Sequence, residues 1–429
     1  MTRVVPDPRL LKAHEHARTG DALRAEMLYL AVLRDQPQNT DAARAVSLLA
    51  TQRGDLDRAL EYLNLALRAM PADPTLRLEL AQLLWQREQP EAAAGVLLAL
   101  VAEQPGQPMA WLLLGQIREA LGDMLGAMKA WYQAVTLAQK TGHWMDRNST
   151  DPAIVELVMG NIEKLRLGRR EHLLNAFGAL RAEHGASAVA RVDRALFGFL
   201  GEVDATPPDP RQRPKFLYFP GLVDAPYHDP MLQPWAPRLQ AAWAELRDEA
   251  SALLGNQQNF ESFLGLKPGE RKDDYISGSA PNPAWDAFFF FRHSERFDAN
   301  HALCPKTSAL LESIELCRVD HQAPEVCFSV LRPGSKIMAH HGVTNTRLVM
   351  HLPLIVPPGC ALNVVGAGEH RWREGELMMF DDTYQHEAWN DSDSTRVILL
   401  MDCWNPHLTA VEKIAVKQLV EAIDAFERT

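Results

Sequence analysis

The sequence predicts a multidomain α + β chain, with an α-solenoid over the first third and a β-rich sandwich or barrel over the last half. Three observations carry this. Residues of one type recur at a 34-residue spacing near the N-terminus. Apolar residues there fall at i, i+3, i+4 and i+7, which is helical spacing. After a Pro-rich stretch the pattern changes to short apolar or alternating runs bounded by Gly, Pro and Asp, which is strand spacing.

The repeat comes first in the chain. Pro37, Pro71 and Pro105 are 34 residues apart, as are Ala25, Ala59, Ala93 and Ala127. Gly20, Gly54 and Gly122 share one register, with Glu88 in the third copy. Four residues after each alanine stand Tyr29, Leu63, Leu97 and Trp131, all bulky. The pattern resembles the tetratricopeptide repeat, which implies two antiparallel helices per copy and small residues where they cross. The fourth copy fits best, with Trp111, Leu114 and Gly115 at the early positions, and the first departs most, with Arg9 and Lys12. One repeat cannot bury its apolar stripe alone, so residues 1–142 stack into a solenoid. Its concave groove suits a protein or peptide partner. Support of the next domain, or self-association into a homo-oligomer, is the alternative use.

Residues 143–203 read as a helical bridge or solenoid cap, opened by the helix-start signal Ser149-Thr150-Asp151-Pro152. Residues 204–214, DATPPDPRQRP, read as a linker. Residues 215–429 then carry the segments PKFLYFPGL, EVCFSVLRPGS, RLVMHLPLIVP, ELMMFDD and TRVILLMDCWNP, each expected to be a strand, and end in a helix.

Composition narrows the function. The formal net charge is −11, and the first 142 residues hold 15 Lys and Arg against 16 Asp and Glu, so the acidity lies in the rest. Nucleic acid is excluded as the main partner, because phosphate binding needs a basic face. No apolar run reaches the roughly 18–20 residues that span a bilayer, so no membrane insertion is expected. Five Cys without a CxxC disfavour both a disulfide framework and a thiolate zinc site, and they point to the cytoplasm. Nine of the 15 His fall from His293 onward, which directs attention to that region.

Three of these, His340, His351 and His386, lie in the β-rich stretch. Imidazole suits iron, zinc, copper and nickel alike. His340-His341-Gly342 has the shape of an H-x-D/E motif with Gly in place of the carboxylate, and Arg396 follows His386 by ten residues. A His pair with a downstream Arg resembles the non-haem iron oxygenases.

Longer segments sharpen the resemblance. They run in the order Tyr218–Leu222, Phe288–Thr307, Phe328–Leu354, Trp372–Glu376, Phe380–Asn390 and Arg396–Pro406. Residues 213–407 thereby resemble the aspartyl/asparaginyl β-hydroxylase family. The resemblance implies a double-stranded β-helix (jelly-roll) fold. It also implies an Fe(II)- and 2-oxoglutarate-dependent dioxygenase that uses O₂ and holds iron with two His and no carboxylate. His340 and His386 match the metal ligands, and with Arg396 they form the implied catalytic set. Arg396 and Ser329 match contacts to the 5-carboxylate end of 2-oxoglutarate, and His351 matches a contact to its 1-carboxylate. Val349 stands where the family has a second Arg on that carboxylate, and Asn363 replaces an Arg in the following strand. These losses bear on cosubstrate affinity more than on iron. Arg347 is retained and, on the strand of His351, shares its face because the side-chain period is two, which makes it a candidate cosubstrate contact.

The remaining residues have plainer readings. Asp381 and Asp382 orient His386 or form a turn. His341 and His370 are surface or supporting residues, and Trp372, Trp389 and Trp404 are core. The implied reaction is hydroxylation at the β-carbon of an Asp- or Asn-type residue in a protein or peptide held by the repeats. The alternatives are an oxygenase acting on a free small molecule or acyl chain, and an inactive scaffold that only binds.

Overall fold

The computed structural model describes residues 7–266 and 269–428. The chain forms two compact units, one running to Glu171 and taking in the residues from Phe426, the other spanning His172–Ala425.

In the first unit eight helices pair in four copies: Pro8–Arg18 with Ala22–Asp35, Thr40–Gln52 with Leu56–Ala69, Pro74–Gln86 with Pro90–Glu103, and Pro108–Ala120 with Met124–Gln139. The 34-residue register explains the turns between partners. Gly20, Gly54 and Gly122 have φ of 84°, 80° and 83°, and Glu88 is held at 59° in the same place. Asp21, Asp55 and Asp123 then cap the second helix of their copies by accepting from the N–H of Arg24, Arg58 and Gly126. The third copy has Gln89 there, which makes no such bond. Glu88 therefore carries backbone strain that its glycine counterparts avoid. Glu88→Gly is expected to stabilise this unit by about 1 kcal/mol, read as a higher denaturation midpoint.

The small residues sit at the helix crossings. Ala25, Ala59, Ala93 and Ala127 are fully buried. A Cβ at Gly115 would stand 2.3 Å from the Trp131 ring, which is itself fully buried. Gly115→Ala is expected to cost about 1–3 kcal/mol by overpacking, with the loss visible as a lower melting temperature. Beyond the fourth copy, Val158 and Leu165 of the helix Val155–Ala176 join Trp131 and Trp144 in one apolar cluster.

The second unit is β-rich, as the sequence predicts. Its larger sheet has eight strands, all paired antiparallel, with the core order Met378–Phe380, Arg347–Ile355, Arg396–Trp404, Val326–Leu331 and Trp285–Arg292. The smaller has five: Gly368–His370, Cys360–Val364, His386–Asn390, Ser335–His340 and Ile276–Gly278. The two pack face to face through Ile337, Leu362 and Ala388 against Val349, Phe380 and Ile398. The outer face of the large sheet is covered by helices through Leu239, Leu246, Leu253 and Leu311. Burial on both faces is why RLVMHLPLI and RVILLMDCW are almost continuously apolar. Helices Gly178–His184 and Ala190–Phe199, from the expected bridge, belong to this unit. There Phe177, Val192 and Leu196 pack with Leu217, Phe219 and Leu419.

One expected strand is absent. PKFLYFPGL forms only an isolated bridge, Leu217 to Thr344. Pro214 and Pro220 lack the N–H that a ladder needs. The intervening backbone is satisfied otherwise: Phe216 and Leu217 donate to the Val343 carbonyl, and the Asn345 side chain pairs with both N–H and C=O of Phe219. Conversely, the strands Trp285–Arg292, Ser335–His340 and Cys360–Val364 were not among the expected runs.

Candidate active site

Between the sheets lies a cavity of about 230 Å³. Strand periodicity decides what faces it. On Arg396–Trp404 the residues Arg396, Ile398, Leu400 and Asp402 line it, and on Arg347–Ile355 the residues Arg347, Val349 and His351 do. Ser329, opposite Ile398, lines it too. The small sheet contributes His340, His386, Leu362 and Ala388. All six residues singled out from the sequence thus reach one cavity.

His340 and His386 are cross-strand partners, with ring centroids 4.2 Å apart. Each Nδ1 lies on a backbone carbonyl, that of Met338 at 2.8 Å and that of Tyr384 at 2.9 Å. A carbonyl only accepts, so both Nδ1 atoms carry hydrogen and each neutral ring keeps its lone pair on Nε2. Burial lowers the pKa of both, and His386, with His340 beside it, is pushed down to about 3. At neutral pH both rings are therefore in the form that binds a metal. Among the described residues no group of three or more His, Cys, Asp or Glu is arranged to hold a metal ion. A two-His set with no carboxylate is what the sequence resemblance implies, so the donors fit.

At one end of the cavity Arg396 is 1% exposed, and its Nε has no hydrogen-bond partner. Its guanidinium lies 5.1 Å from the Trp372 ring, and Nη1 reaches Ser329 Oγ at 3.5 Å. Among the described residues no carboxylate pairs with it, and burial brings its pKa down to about 10. A buried, unpaired cation is costly, and an anion with its own oxygen acceptors relieves it. Ser329 Oγ accepts from Trp285 Nε1 at 2.8 Å, which leaves its own proton to donate. His351 is buried with Nδ1 unpartnered, and burial, then Arg396, drives its pKa well down. Such a site fits a carboxylate.

Arg347 is placed differently. It lines the cavity from the far part of the neighbouring strand, opposite Trp404 and so eight residues along from Arg396, a distance of roughly 27 Å. Nη1 pairs with Asp402 at 3.3 Å and donates to the Gln322 carbonyl at 3.1 Å. Asn363 is turned away: it donates to Glu387, and Leu362 faces the cavity instead. Only Val349 changes the lining.

Asp381 caps a turn, accepting from Thr383 and Gln212. Neither its carboxylate nor that of Asp382 bonds the His386 ring, although the Asp382 backbone does. A Cβ at Gly342 would stand 2.0–2.1 Å from the Asp382 carboxylate, so that carboxylate fills the space beside Gly342. Its Oδ1 is buried and unpartnered, and burial, then Asp381, raises its pKa to about 8. His341 is tied to the Thr383 carbonyl, and neither it nor His370 lines the cavity. Sequence reasoning missed Trp285, Glu325 and Asp402 as lining residues; Trp372, expected in the core, is buried in the apolar cluster between the sheets and also lines the cavity. Asp402 was visible in the R-x₅-D spacing, whereas nothing local marks Trp285 or Glu325.

Comparison with known proteins follows the same division. Residues 10–74 and 50–117 match tetratricopeptide repeat models, and residues 240–406 match the aspartyl/asparaginyl beta-hydroxylase model. Over residues 240–406 the second unit is thus similar to the aspartyl/asparaginyl β-hydroxylase family. The chain is 36% identical over 213 residues to aspartate beta-hydroxylase domain-containing protein 2 of Homo sapiens, covering 48% of this chain and 54% of that protein. It is 30% identical over 192 residues to the ornithine lipid ester-linked acyl 2-hydroxylase of Rhizobium tropici, covering 44% and 64%. It is 36% identical over 194 residues to the aspartyl/asparaginyl beta-hydroxylase of Mus musculus, covering 42% and 24%. The chain thus spans only part of each of these relatives. Among solved structures, MamA 41-end from Desulfovibrio magneticus RS-1 aligns with a TM-score of 0.30 at 21% identity, covering 32% of this chain and 78% of that one. Among the described residues no helix is long and apolar enough to cross a membrane.

Proposed function

We propose that the second unit is an Fe(II)- and 2-oxoglutarate-dependent dioxygenase. Its proposed reaction is hydroxylation of a C–H bond, at the β-carbon of an Asp- or Asn-type residue, in a protein or peptide held by the repeat groove. The observation that carries the reading is the pairing of two elements in one cavity: Arg396, buried and without a carboxylate, and the His340–His386 pair with both Nε2 atoms free of protons. The five buried, unbridged Cys suit the reducing cytoplasm.

His340 and His386 would hold Fe(II), which with 2-oxoglutarate and O₂ supplies an oxidant able to attack an unactivated carbon, 2-oxoglutarate leaving as succinate and CO₂. Arg396 binds one carboxylate of the cosubstrate, with the Ser329 hydroxyl donating to it. His351 stands on the neighbouring strand for the other end. Val349, Ile337, Leu362 and Phe380 keep water away from the reacting atoms. The repeat unit supplies affinity for a polypeptide remote from the chemistry, which raises its concentration at the cavity.

The test is succinate formation from 2-oxoglutarate by the full chain with Fe(II) under air. Turnover that is absent in the wild type, or unchanged in His340→Ala, would refute the reading.

A further inference from the structure

A second pair of imidazoles meets outside the cavity. His228 ends the short strand Tyr227–His228, which pairs with Phe380 and Met379 at the edge of the large sheet. His407 lies in the turn just past the strand Arg396–Trp404. Their ring centroids are 6.1 Å apart, with the planes tilted by 50°. His228 is 9% exposed, and its Nε2 has no hydrogen-bond partner. The ring bonds the Ala225 backbone in a way that favours the protonated nitrogen, so Nδ1 carries hydrogen and Nε2 keeps a bare lone pair. His407 is half-buried, and among the described residues neither of its ring nitrogens has a hydrogen-bond partner.

We propose that His228 and His407 hold a divalent ion that favours imidazole, such as zinc, with water completing its shell, at a site separate from the His340–His386 pair. A buried lone pair with nothing to accept is costly. The neighbouring donors are spent elsewhere: Gln233 Nε2 donates to the Trp404 carbonyl, and Arg191 reaches the His407 carbonyl, not its ring. A metal ion relieves the lone pair, and a hydrogen bond on the opposite ring nitrogen is what orients a ligating imidazole. The spacing allows it. Zinc sits about 2.0–2.1 Å from an imidazole nitrogen, hence roughly 3.2 Å from the ring centre, so two rings on one ion stand at most about 6.4 Å apart. A tetrahedral angle needs about 5.2 Å, a closure of about 1 Å that His407, half-buried in a turn, can supply. Two imidazoles without a carboxylate disfavour magnesium and calcium, which take oxygen donors. The ion ties the edge strand, held by the pairs Tyr227–Phe380 and His228–Met379, to the end of the strand that begins at Arg396. Its effect is therefore on stability, because it binds the folded chain and finds no such pair in the unfolded one.

The test uses the tag-free full chain, stripped with a chelator, carrying His340→Ala and His386→Ala so that those donors are gone. Zinc is titrated in competition with a chromophoric chelator, and melting curves are taken with zinc and with magnesium. We expect one zinc equivalent, a higher melting temperature with zinc, and no change with magnesium. Adding His228→Gln or His407→Gln should weaken zinc at least about tenfold and abolish the thermal shift, since losing even a supporting partner of a metal ligand costs about that much. His407→Gln is the safer variant for folding, because that ring is half-buried. No zinc equivalent in the starting variant would overturn the proposal. So would zinc affinity left unchanged in folded His407→Gln, which would place the ion on other histidines. Neither result bears on the dioxygenase reading, whose donors are absent from every variant compared.

Discussion

His340→Ala and His386→Ala are each expected to lower succinate formation and peptide oxidation by more than about 100-fold. Loss of a supporting partner alone costs a metal site about 10–100-fold, and each of these changes removes one of the two protein donors themselves. The two rings are cross-strand partners at 4.2 Å with both Nε2 atoms available, so neither can be replaced by a neighbour. His341, the nearest alternative in sequence, is tied to the Thr383 carbonyl. Metal content by elemental analysis should fall with activity in both variants, while His341→Ala should retain metal. A His340→Ala variant that keeps its metal and its turnover would show that the pair is not the centre.

Arg396→Met has the second large expected effect, and it has two signs. Truncating one partner of a buried charge pair costs about 2–5 kcal/mol, so the KM for 2-oxoglutarate should rise by about 30-fold or more. The ligand-free protein, however, should become more stable, by about 1–4 kcal/mol, because an unpaired buried guanidinium is replaced by an apolar side chain of similar length. Met also packs well against Trp372, which now lies 5.1 Å from the guanidinium. Added 2-oxoglutarate should raise the melting temperature of the wild type and leave that of the variant unchanged. An unaltered KM would mean that the anion site lies elsewhere, and a destabilised variant would mean that Arg396 has a partner in the ligand-free fold.

The resemblance in sequence also implied cosubstrate contacts that the fold distributes unevenly. Arg396, Ser329 and His351 meet at one end of the cavity. Arg347 stands at the other, paired with Asp402. The shared face of Arg347 and His351 was legible, because period two on one strand determines it. The separation was not, because four residues along a strand are about 13 Å, and only the packing of the second sheet decides which part of that length lies beneath the His pair. Asn363 shows the same limit from the other side: a substitution conspicuous in sequence turns out to lie on the outer face.

What the sequence determined by itself follows from local rules. The 34-residue register specified the eight helices, their small crossing residues and their left-handed turns. Even the exception at Glu88 was visible, because the conformation required there is a property of one residue. The His pair, Arg396 and Ser329 were legible as motifs. Tertiary structure alone decided the rest. It turned PKFLYFPGL from a strand into a segment whose N–H groups bond to Val343 and Asn345. It set the Asp382 carboxylate into the space beside Gly342. It also gathered Glu325, Asp382 and Asp402, spread over 78 residues, around one arginine. Those outcomes depend on which buried donors and acceptors meet once two sheets close, and a polar group records no trace in its own sequence of the partner that packing will bring to it.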